Sequence, residues 1–460
     1  MIYVHNKQVA VIGLGRSGLA AARLLSVRGA QVVVIDEKTP EKLGAWIDKA
    51  KELPLKLSLG QMDLAAILNS DLVVTSPGVP FDHPALESAR EKGIAVIGEL
   101  ELAYGYCPSP VVAITGTNGK TTTTALTAAM IQAGGKKALA CGNIGRAFAE
   151  AVFELTAEDW AVLEVSSFQL ETIETFRPNV AAVLNVTPDH LDRHGSMQAY
   201  VEMKSRIFEN QTPEDAAALN LRDKYTPIFS GLLKSRLHLF GLADGAKDLG
   251  KPGCYVVGDR LELLGRKLLR TTDLRIPGPH NLENACAAAI LASLAGVPDA
   301  AIAKALAEFP GVEHRLERAG EVEGVTFIND SKGTNVDSVV KALESFPRPI
   351  VLILGGRDKA GDFRALIPLV REKVTRVMAF GECKAKVVQQ LSTAATVVEA
   401  QSLEEVVNGA FVSSEKGGTV LFSPGCASFD MFQNYEDRGR QFKALVMKLA
   451  QSKKGAPTKA

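Results

Sequence analysis

The stretch Thr115-Gly116-Thr117-Asn118-Gly119-Lys120-Thr121-Thr122 has the composition of a phosphate-binding loop. It follows the apolar run Val111 to Ile114 and opens a helical pattern rich in Thr and Ala. Backbone N–H groups at a helix N-terminus attract phosphate oxygens, a lysine serves the outer phosphates, and a Thr hydroxyl can reach a metal. Read as a plain Gly-rich turn, the stretch leaves Lys120 unexplained. The general form of such loops has Gly six residues before the lysine, and Ile114 stands there instead, which disfavours a GTPase or a kinase. Farther on, Glu164 stands where a second apolar run leaves the sheet. A carboxylate at that edge can hold Mg²⁺ beside phosphates. Alone it reads as a solvated strand end, but a triphosphate needs metal as well as lysine to neutralise it.

Other segments carry polar groups at strand ends. Asn185-Val186-Thr187-Pro188-Asp189-His190-Leu191-Asp192-Arg193-His194 follows an apolar run, and Pro188 blocks a ladder bond. Asp189 there could equally be a helix N-cap. Lys204, in Glu202-Met203-Lys204-Ser205-Arg206, reads as an ordinary surface lysine. In His280-Asn281-Leu282-Glu283-Asn284 the two Asn could bond a nucleotide base or cap and pack a helix. Three later loops, Asn329 to Asn335, Gly355 to Lys359 and Ser423 to Asp430, all follow apolar runs and so share one sheet edge, where open α/β sheets place ligands. Their lysines and hydroxyls suit a substrate with carboxylates. Near the start, Gly13-Leu14-Gly15-Arg16-Ser17-Gly18 with Asp36 fits a dinucleotide fingerprint. Read alone it predicts an NAD-dependent oxidoreductase, although a diphosphate at that helix end could equally belong to a UDP-sugar. Thr75 to Val79 forms either a second wall of that pocket or a turn.

These groups need scaffolds. At 460 residues the chain has room for about three domains. Short β-branched runs alternate with helical patterns, the mark of parallel sheets. The Gly/Pro-bearing stretch Tyr104 to Pro110 and the Phe309-Pro310-Gly311 break divide the chain into 1–107, 108–312 and 313–460, with 451–460 expected to fray. The fold class is α/β throughout, Rossmann-like at both ends and P-loop-like in the middle. Lys+Arg and Asp+Glu both number 52, so no net field favours nucleic acid or an anionic membrane, and small-molecule substrates are expected. No run of about 18 apolar residues appears, and the start does not read as a signal peptide, so a cytoplasmic protein is expected. The six cysteines show no metal-site or CxxC spacing and are expected to be reduced and structural.

TGTNGKTT resembles the signature of the Mur ligase and folylpolyglutamate synthetase superfamily, and three domains in this order resemble the Mur ligases. The resemblance implies an ATP-dependent amide-forming ligase of peptidoglycan synthesis that works through an acyl phosphate. Gly355-Gly356-Arg357-Asp358-Lys359 and Ser423 to Phe432, with the trailing Arg438-Gly439, are similar to the branch that adds D-glutamate to UDP-N-acetylmuramoyl-L-alanine. It further implies a catalytic set of Lys120, Glu164, His190 and Lys204. Two Mg²⁺ would be held by Thr121, Glu164, His190 and a CO₂-derived carbamate on Lys204. ATP would meet Gly116, Thr117, Asn118, Gly119, Lys120, Thr121, Thr122, Asn281, Arg315 and Asp330. The UDP substrate would meet Gly15, Arg16, Ser17, Asp36, Ser76, Pro77, Gly78, Asn143 and His190. D-glutamate would meet Lys332, Thr334, Lys359, Ser428 and Phe429, in a protein expected to be a monomer.

Overall fold

The computed structural model describes residues 2–243, 251–276, 278–358 and 361–454. Five runs rich in Val, Ile and Leu form the first sheet: Gln8–Ile12 (β1), Gln31–Asp36 (β2), Leu55–Leu59 (β3), Leu72–Thr75 (β4) and Ala95–Gly98 (β5). They are parallel, in the order β3-β2-β1-β4-β5. The order reverses at β1, and Ile12 lies beside Thr75, so the loops leaving β1 and β4 sit side by side at the switch point. The helix Arg16–Val27 buries Ala21, Ala22, Leu24 and Leu25, as a parallel sheet covered on its faces requires.

The second sheet has nine strands: Val111–Thr115 (β6), Ala138–Gly142 (β7), Trp160–Glu164 (β8), Val180–Val183 (β9), Ala216–Asn220 (β10), Arg236–Leu242 (β11), Gly253–Val257 (β12), Arg260–Leu263 (β13) and Arg266–Arg270 (β14). Their order is β7-β8-β6-β9-β10-β11-β12-β13-β14. β6 therefore runs between β8 and β9, with Ile114 beside Glu164 and Thr115 beside Val183. That register brings the phosphate loop, Glu164 and the Asn185 to His194 segment to one edge.

The third sheet contains Glu317–Val322 (β15), Val325–Asn329 (β16), Ile350–Gly355 (β17), Val374–Phe380 (β18), Thr396–Glu399 (β19) and Thr419–Phe422 (β20). Its order is β15-β16-β20-β17-β18-β19, so the loops after β16, β20 and β17 converge as the sequence pattern predicts. Three hairpins among the described residues lie outside that pattern, the first joining β12 to β13 through Gly258 and Asp259. β13 and β14 turn on Leu264 and Gly265, and β15 and β16 on Glu323 and Gly324, all four at positive φ. Leu and Glu are not turn residues, so neither of these last two hairpins announces itself. The helix Tyr435–Lys454 continues past Gln451, into the tail expected to fray.

The chain divides into two compact units, residues 1–273 with 283–307, and residues 274–282 with 308–460. The first two sheets share the first unit because one hydrophobic cluster runs from Val9 and Leu24 to Phe148, Leu163 and Tyr255. Two buried glutamates on the short helix Glu99–Tyr104 bolt them further. Glu101 accepts hydrogen bonds from the backbone N–H groups of Glu174 (2.9 Å), Thr175 (2.8 Å) and Phe176 (3.1 Å). Glu99 accepts the Ala149 N–H at 2.6 Å, while its other oxygen has no partner among the described residues. Burial pushes the Glu99 carboxyl up from 4.5 to about 7. The folded protein thus keeps a proton that the unfolded chain releases between these values, and stability declines as pH rises through that window. Glu99→Gln removes this titration. In thermal melts, the Tm of the variant relative to the unsubstituted protein should rise between pH 5 and pH 8; a constant difference refutes the assignment.

Candidate active site

The edge of the second sheet is built around a loop that cannot relax. Leaving β6, Gly116 takes φ +149°, and Gly119 takes a left-handed φ of +86° just before the helix Lys120–Ala133. A Cβ at Gly119 would stand 2.2 Å from Asn284 Oδ1, so glycine is required by space as well as by φ. Asn185 clamps the loop. Its Oδ1 accepts the Asn118 N–H at 2.9 Å, its Nδ2 donates to the Asn118 carbonyl at 3.1 Å, and its carbonyl accepts the Thr117 N–H at 2.9 Å. Thr117 Oγ1 donates to the Thr187 carbonyl at 3.1 Å and accepts the Thr187 N–H at 3.0 Å. Asn185 was absent from the expected site, though it heads the segment that contains His190. Its signal was an amide where an apolar strand ends.

Two lysines converge on this loop. Lys120 Nζ donates to the carbonyls of Gly116 (2.8 Å) and Thr117 (2.9 Å). Lys204 Nζ donates to the same Gly116 carbonyl at 3.1 Å and lies 4.4 Å from the centre of the Tyr200 ring. The reading of Lys204 as a surface lysine is therefore wrong: it is only 1% exposed, on the inward face of the helix Met197–Ser205. Burial first, and the Lys120 charge second, hold its amine well below the ordinary lysine pKa. Glu164, also buried, accepts the Thr121 hydroxyl at 2.7 Å on one oxygen and Asn143 Nδ2 at 2.9 Å on the other.

His190 heads the helix Leu191–His194 in a left-handed conformation, φ +53°, and its ring meets Phe168 edge-on with centroids 4.9 Å apart. Because His190 occupies the N-cap position, Asp189 is not the cap; its Oδ1 instead accepts the His190 N–H at 3.0 Å. Arg193, which sequence reasoning passed over, ion-pairs with Glu171, covers the Phe168 ring at 4.5 Å, and donates to the Pro77 (3.3 Å) and Val79 (3.1 Å) carbonyls. It thereby ties the β4 loop of the first sheet to the His190 segment. At the first switch point the Thr75 to Val79 segment forms a turn closed by the Val79 N–H on the Ser76 carbonyl at 3.0 Å, and Ser76 Oγ donates to the Gly13 carbonyl at 3.0 Å, packing that turn against the glycine loop. Asp36 accepts the Leu14 N–H at 2.6 Å and the Lys38 N–H at 2.8 Å, shaping the glycine loop from within. Arg16 donates to the Gly145 carbonyl at 2.6 Å, close in sequence to Asn143.

The second compact unit carries the remaining expected residues. Asn281 is buried near the start of the helix Pro279–Leu294, with its N–H on the Gly278 carbonyl at 3.0 Å. Arg315 Nε is buried without a partner among the described residues. Asp330 is buried, accepts the Ser423 hydroxyl at 2.7 Å, and is pushed by burial up to about 6. Lys332 extends over the Tyr435 ring at 5.0 Å. Thr334 is half-buried on the same loop, Ser428 is buried, Phe429 is exposed, and Lys359 lies outside the described residues. Glu313, His314 and Glu317 cluster as potential metal ligands, but Lys443 Nζ already bridges the two carboxylates at 2.6 and 2.8 Å. The Cys383 and Cys426 thiols touch at 3.1 Å, and all six cysteines are unpaired by disulfide, as expected.

Backbone amides at a helix start, one lysine and a hydroxyl–carboxylate pair thus give the edge of the second sheet the chemistry that suits a polyphosphate, beside a buried lysine of depressed basicity. The Thr121 hydroxyl and Glu164 carboxylate, 2.7 Å apart, are oxygen donors of the kind a hard divalent ion takes. The glycine cradle gives a test. Gly119→Ala should lower stability by about 1–3 kcal/mol and weaken ATP binding at least tenfold. Calorimetric titration giving an unchanged ATP affinity would show that the cradle does not bear on the nucleotide.

Three family profiles match the chain: Mur ligase MurD-like N-terminal domain over 7–98, Mur ligase middle domain over 114–292, and Mur ligase glutamate ligase domain over 314–426. The chain is 44% identical over 456 residues to a protein of Koribacter versatilis described as UDP-N-acetylmuramoylalanine--D-glutamate ligase, covering 98% of this chain and 99% of that one. A Caldanaerobacter subterraneus protein of the same description is 41% identical, over 97% and 99% of the two chains. Among solved structures, UDP-N-acetylmuramate-alanine ligase MurC of Thermotoga maritima superimposes with a TM-score of 0.62 at 21% identity, over 96% of this chain and all of that one. MurF of the same organism, in complex with ADP, gives 0.61 at 15% identity, over 98% and 96% of the two chains. The structural likenesses establish the fold, and the sequence identities extend over nearly the whole length. The chain belongs to the Mur ligase family.

Proposed function

We propose that the protein joins D-glutamate to UDP-N-acetylmuramoyl-L-alanine, converting ATP to ADP and phosphate, as a step of peptidoglycan synthesis. Its relatives carry that description, and one observation supports it above the others: Lys120 and a buried Lys204 of depressed basicity meet on the Gly116 carbonyl of the phosphate loop. In this reading the loop amides and Lys120 receive the outer phosphates of ATP, the ammonium exchanging loop carbonyls for phosphate oxygens. The L-alanyl carboxylate attacks the γ-phosphorus, the bond to ADP breaks, and an acyl phosphate forms. The neutral amine of D-glutamate then attacks the acyl carbon; the amide forms as phosphate leaves and the nitrogen gives up its proton. No protein nucleophile enters this sequence, so the chain contributes position and charge.

Mg²⁺, two ions in this reading, would be held by Thr121, Glu164, His190 and Lys204 and would neutralise phosphate charge during transfer. Lys204 takes part as a carbamate: its neutral nitrogen bonds the carbon of CO₂ and releases a proton, which turns a base into an anion. Asn281, Arg315 and Asp330 are assigned to the nucleotide. The UDP substrate is assigned to Gly15, Arg16, Ser17, Asp36, Ser76, Pro77, Gly78, Asn143 and His190, and D-glutamate to Lys332, Thr334, Lys359, Ser428 and Phe429. We further read the protein as a cytoplasmic monomer; among the described residues no helix is long and apolar enough to cross a membrane.

With both substrates and ATP, the purified protein should release ADP and yield the glutamyl product, and Lys120→Ala should lower kcat by about a thousandfold or more, on the order of 4 kcal/mol. Turnover by the unsubstituted protein with another amino acid but not with D-glutamate would overturn the substrate assignment. Under ¹³C-labelled bicarbonate, NMR should give a carbamate resonance that Lys204→Gln removes; an unmodified amine in the ligand-bound protein would contradict the carbamate.

A further inference from the structure

The largest fully buried side chain of the second unit is a cation that the reaction above does not use. Arg438, in the opening turns of the helix Tyr435–Lys454, has no solvent exposure. Its Nε donates to Ser331 Oγ at 3.0 Å and its Nη2 to the Ser331 carbonyl at 2.7 Å. Its Nη1 donates to the carbonyls of Cys426 (3.1 Å) and Ala427 (3.3 Å). The loop after β17 closes on it as well, since a Cβ at Gly356 would lie 3.1 Å from Nη1. One planar group thus joins the loop bearing Lys332 and Thr334 to the loop bearing Ser428, with the Gly355 to Asp358 segment packed against it.

Stability alone does not account for a guanidinium here. Among the described residues Arg438 has no carboxylate within ion-pair distance, so its charge is buried against neutral oxygens. That is costly compared with an apolar side chain of similar volume. A cation near a helix N-terminus also opposes the helix dipole. Burial lowers its pKa to about 10, still far above neutrality, so the charge persists. What these costs support is a fixed fork of directed donors beneath the loops assigned to a dicarboxylate, with the Asp330 and Asp430 carboxylates acting on it only at longer range.

We infer that Arg438 is a positioning residue of the amino-acid acceptor site: its guanidinium locks the Ser331 and Cys426–Ala427 loops in register, so that Lys332, Thr334 and Ser428 meet an acceptor carrying two carboxylates. This rests on the assignment of D-glutamate to those loops. Arg438 acts through them and does not itself touch the acceptor. A lysine retains the charge but loses the fork, whereas a methionine loses both.

The test is steady-state kinetics on the full chain, varying each substrate in turn, for the unsubstituted protein, Arg438→Lys, Arg438→Met and Ser331→Ala. Arg438→Lys should raise the KM for D-glutamate at least tenfold while leaving the KM values for ATP and the UDP substrate within twofold. Arg438→Met should raise it further and narrow the preference for D-glutamate over D-glutamine. Ser331→Ala, which removes the hydroxyl that accepts from Arg438 Nε and donates to the Tyr435 carbonyl, should raise it about threefold, and it provides the readout if the methionine variant does not fold. Equal increases in all three KM values, or an unchanged KM for D-glutamate in a variant of lowered Tm, would reduce Arg438 to a packing role and overturn the inference. Absence of D-glutamate turnover in the unsubstituted protein would instead remove the acceptor assignment beneath it.

Discussion

Two amine side chains share one carbonyl oxygen. Lys120 and Lys204 both donate to Gly116, at 2.8 and 3.1 Å, and like charges this close in a dry setting cannot both be comfortably protonated. Lys120 is half-buried, whereas burial together with the Lys120 charge holds the Lys204 amine well below the ordinary lysine pKa. Everything around the loop serves to hold that arrangement. Asn185 fixes Asn118, Thr187 fixes Thr117, and Asn284 leaves room only for glycine at 119. The result is two lysines on one carbonyl in different settings, one half-buried and one wholly buried, although both begin as the same residue type.

The same logic of buried charge recurs wherever separate segments must be held together. Glu101 gathers the three consecutive amides of Glu174, Thr175 and Phe176, and Glu99 caps the helix Phe148–Ala151. Arg193 couples the β4 loop to the His190 segment through two carbonyls and Glu171. Arg438 does the corresponding work for the third sheet with carbonyls and a hydroxyl only. Hydrogen bonds from ionised groups are stronger and more directional than apolar contacts. They fix loop register where loops carry function, and the apolar clusters beneath supply most of the stability.

Much of the scaffold was legible because its signals are local. A β-branched run followed by a helical period predicts a parallel strand and its crossover, and β6 lies within a residue of the apolar run Val111 to Ile114 that heads the phosphate loop. β9 is shorter than its apolar run, because Leu184 to Val186 turn from the sheet to support the phosphate loop: the Leu184 N–H still reaches the Thr115 carbonyl, but the Asn185 carbonyl is taken by Thr117. The β13–β14 hairpin was illegible, since nothing in Leu264-Gly265 marks a tight turn more strongly than any other Gly-bearing pair.

By itself, the order of residues determined three α/β sheets, a glycine-rich loop leading into the helix at Lys120, a carboxylate at the strand end Glu164 and three polar loops on one edge of the third sheet. Each depends on neighbours close along the chain: strand, turn and helix start are encoded within about ten residues. Only the tertiary structure decided that Lys204 is buried, that Asp189 is not a cap, and that Arg438 is the hub of three loops. Lys204 meets Gly116 across 88 residues and Arg438 meets Ser331 across 107. A side chain's charge state and partners follow from what packs against it, and on those length scales packing is a property of the whole fold.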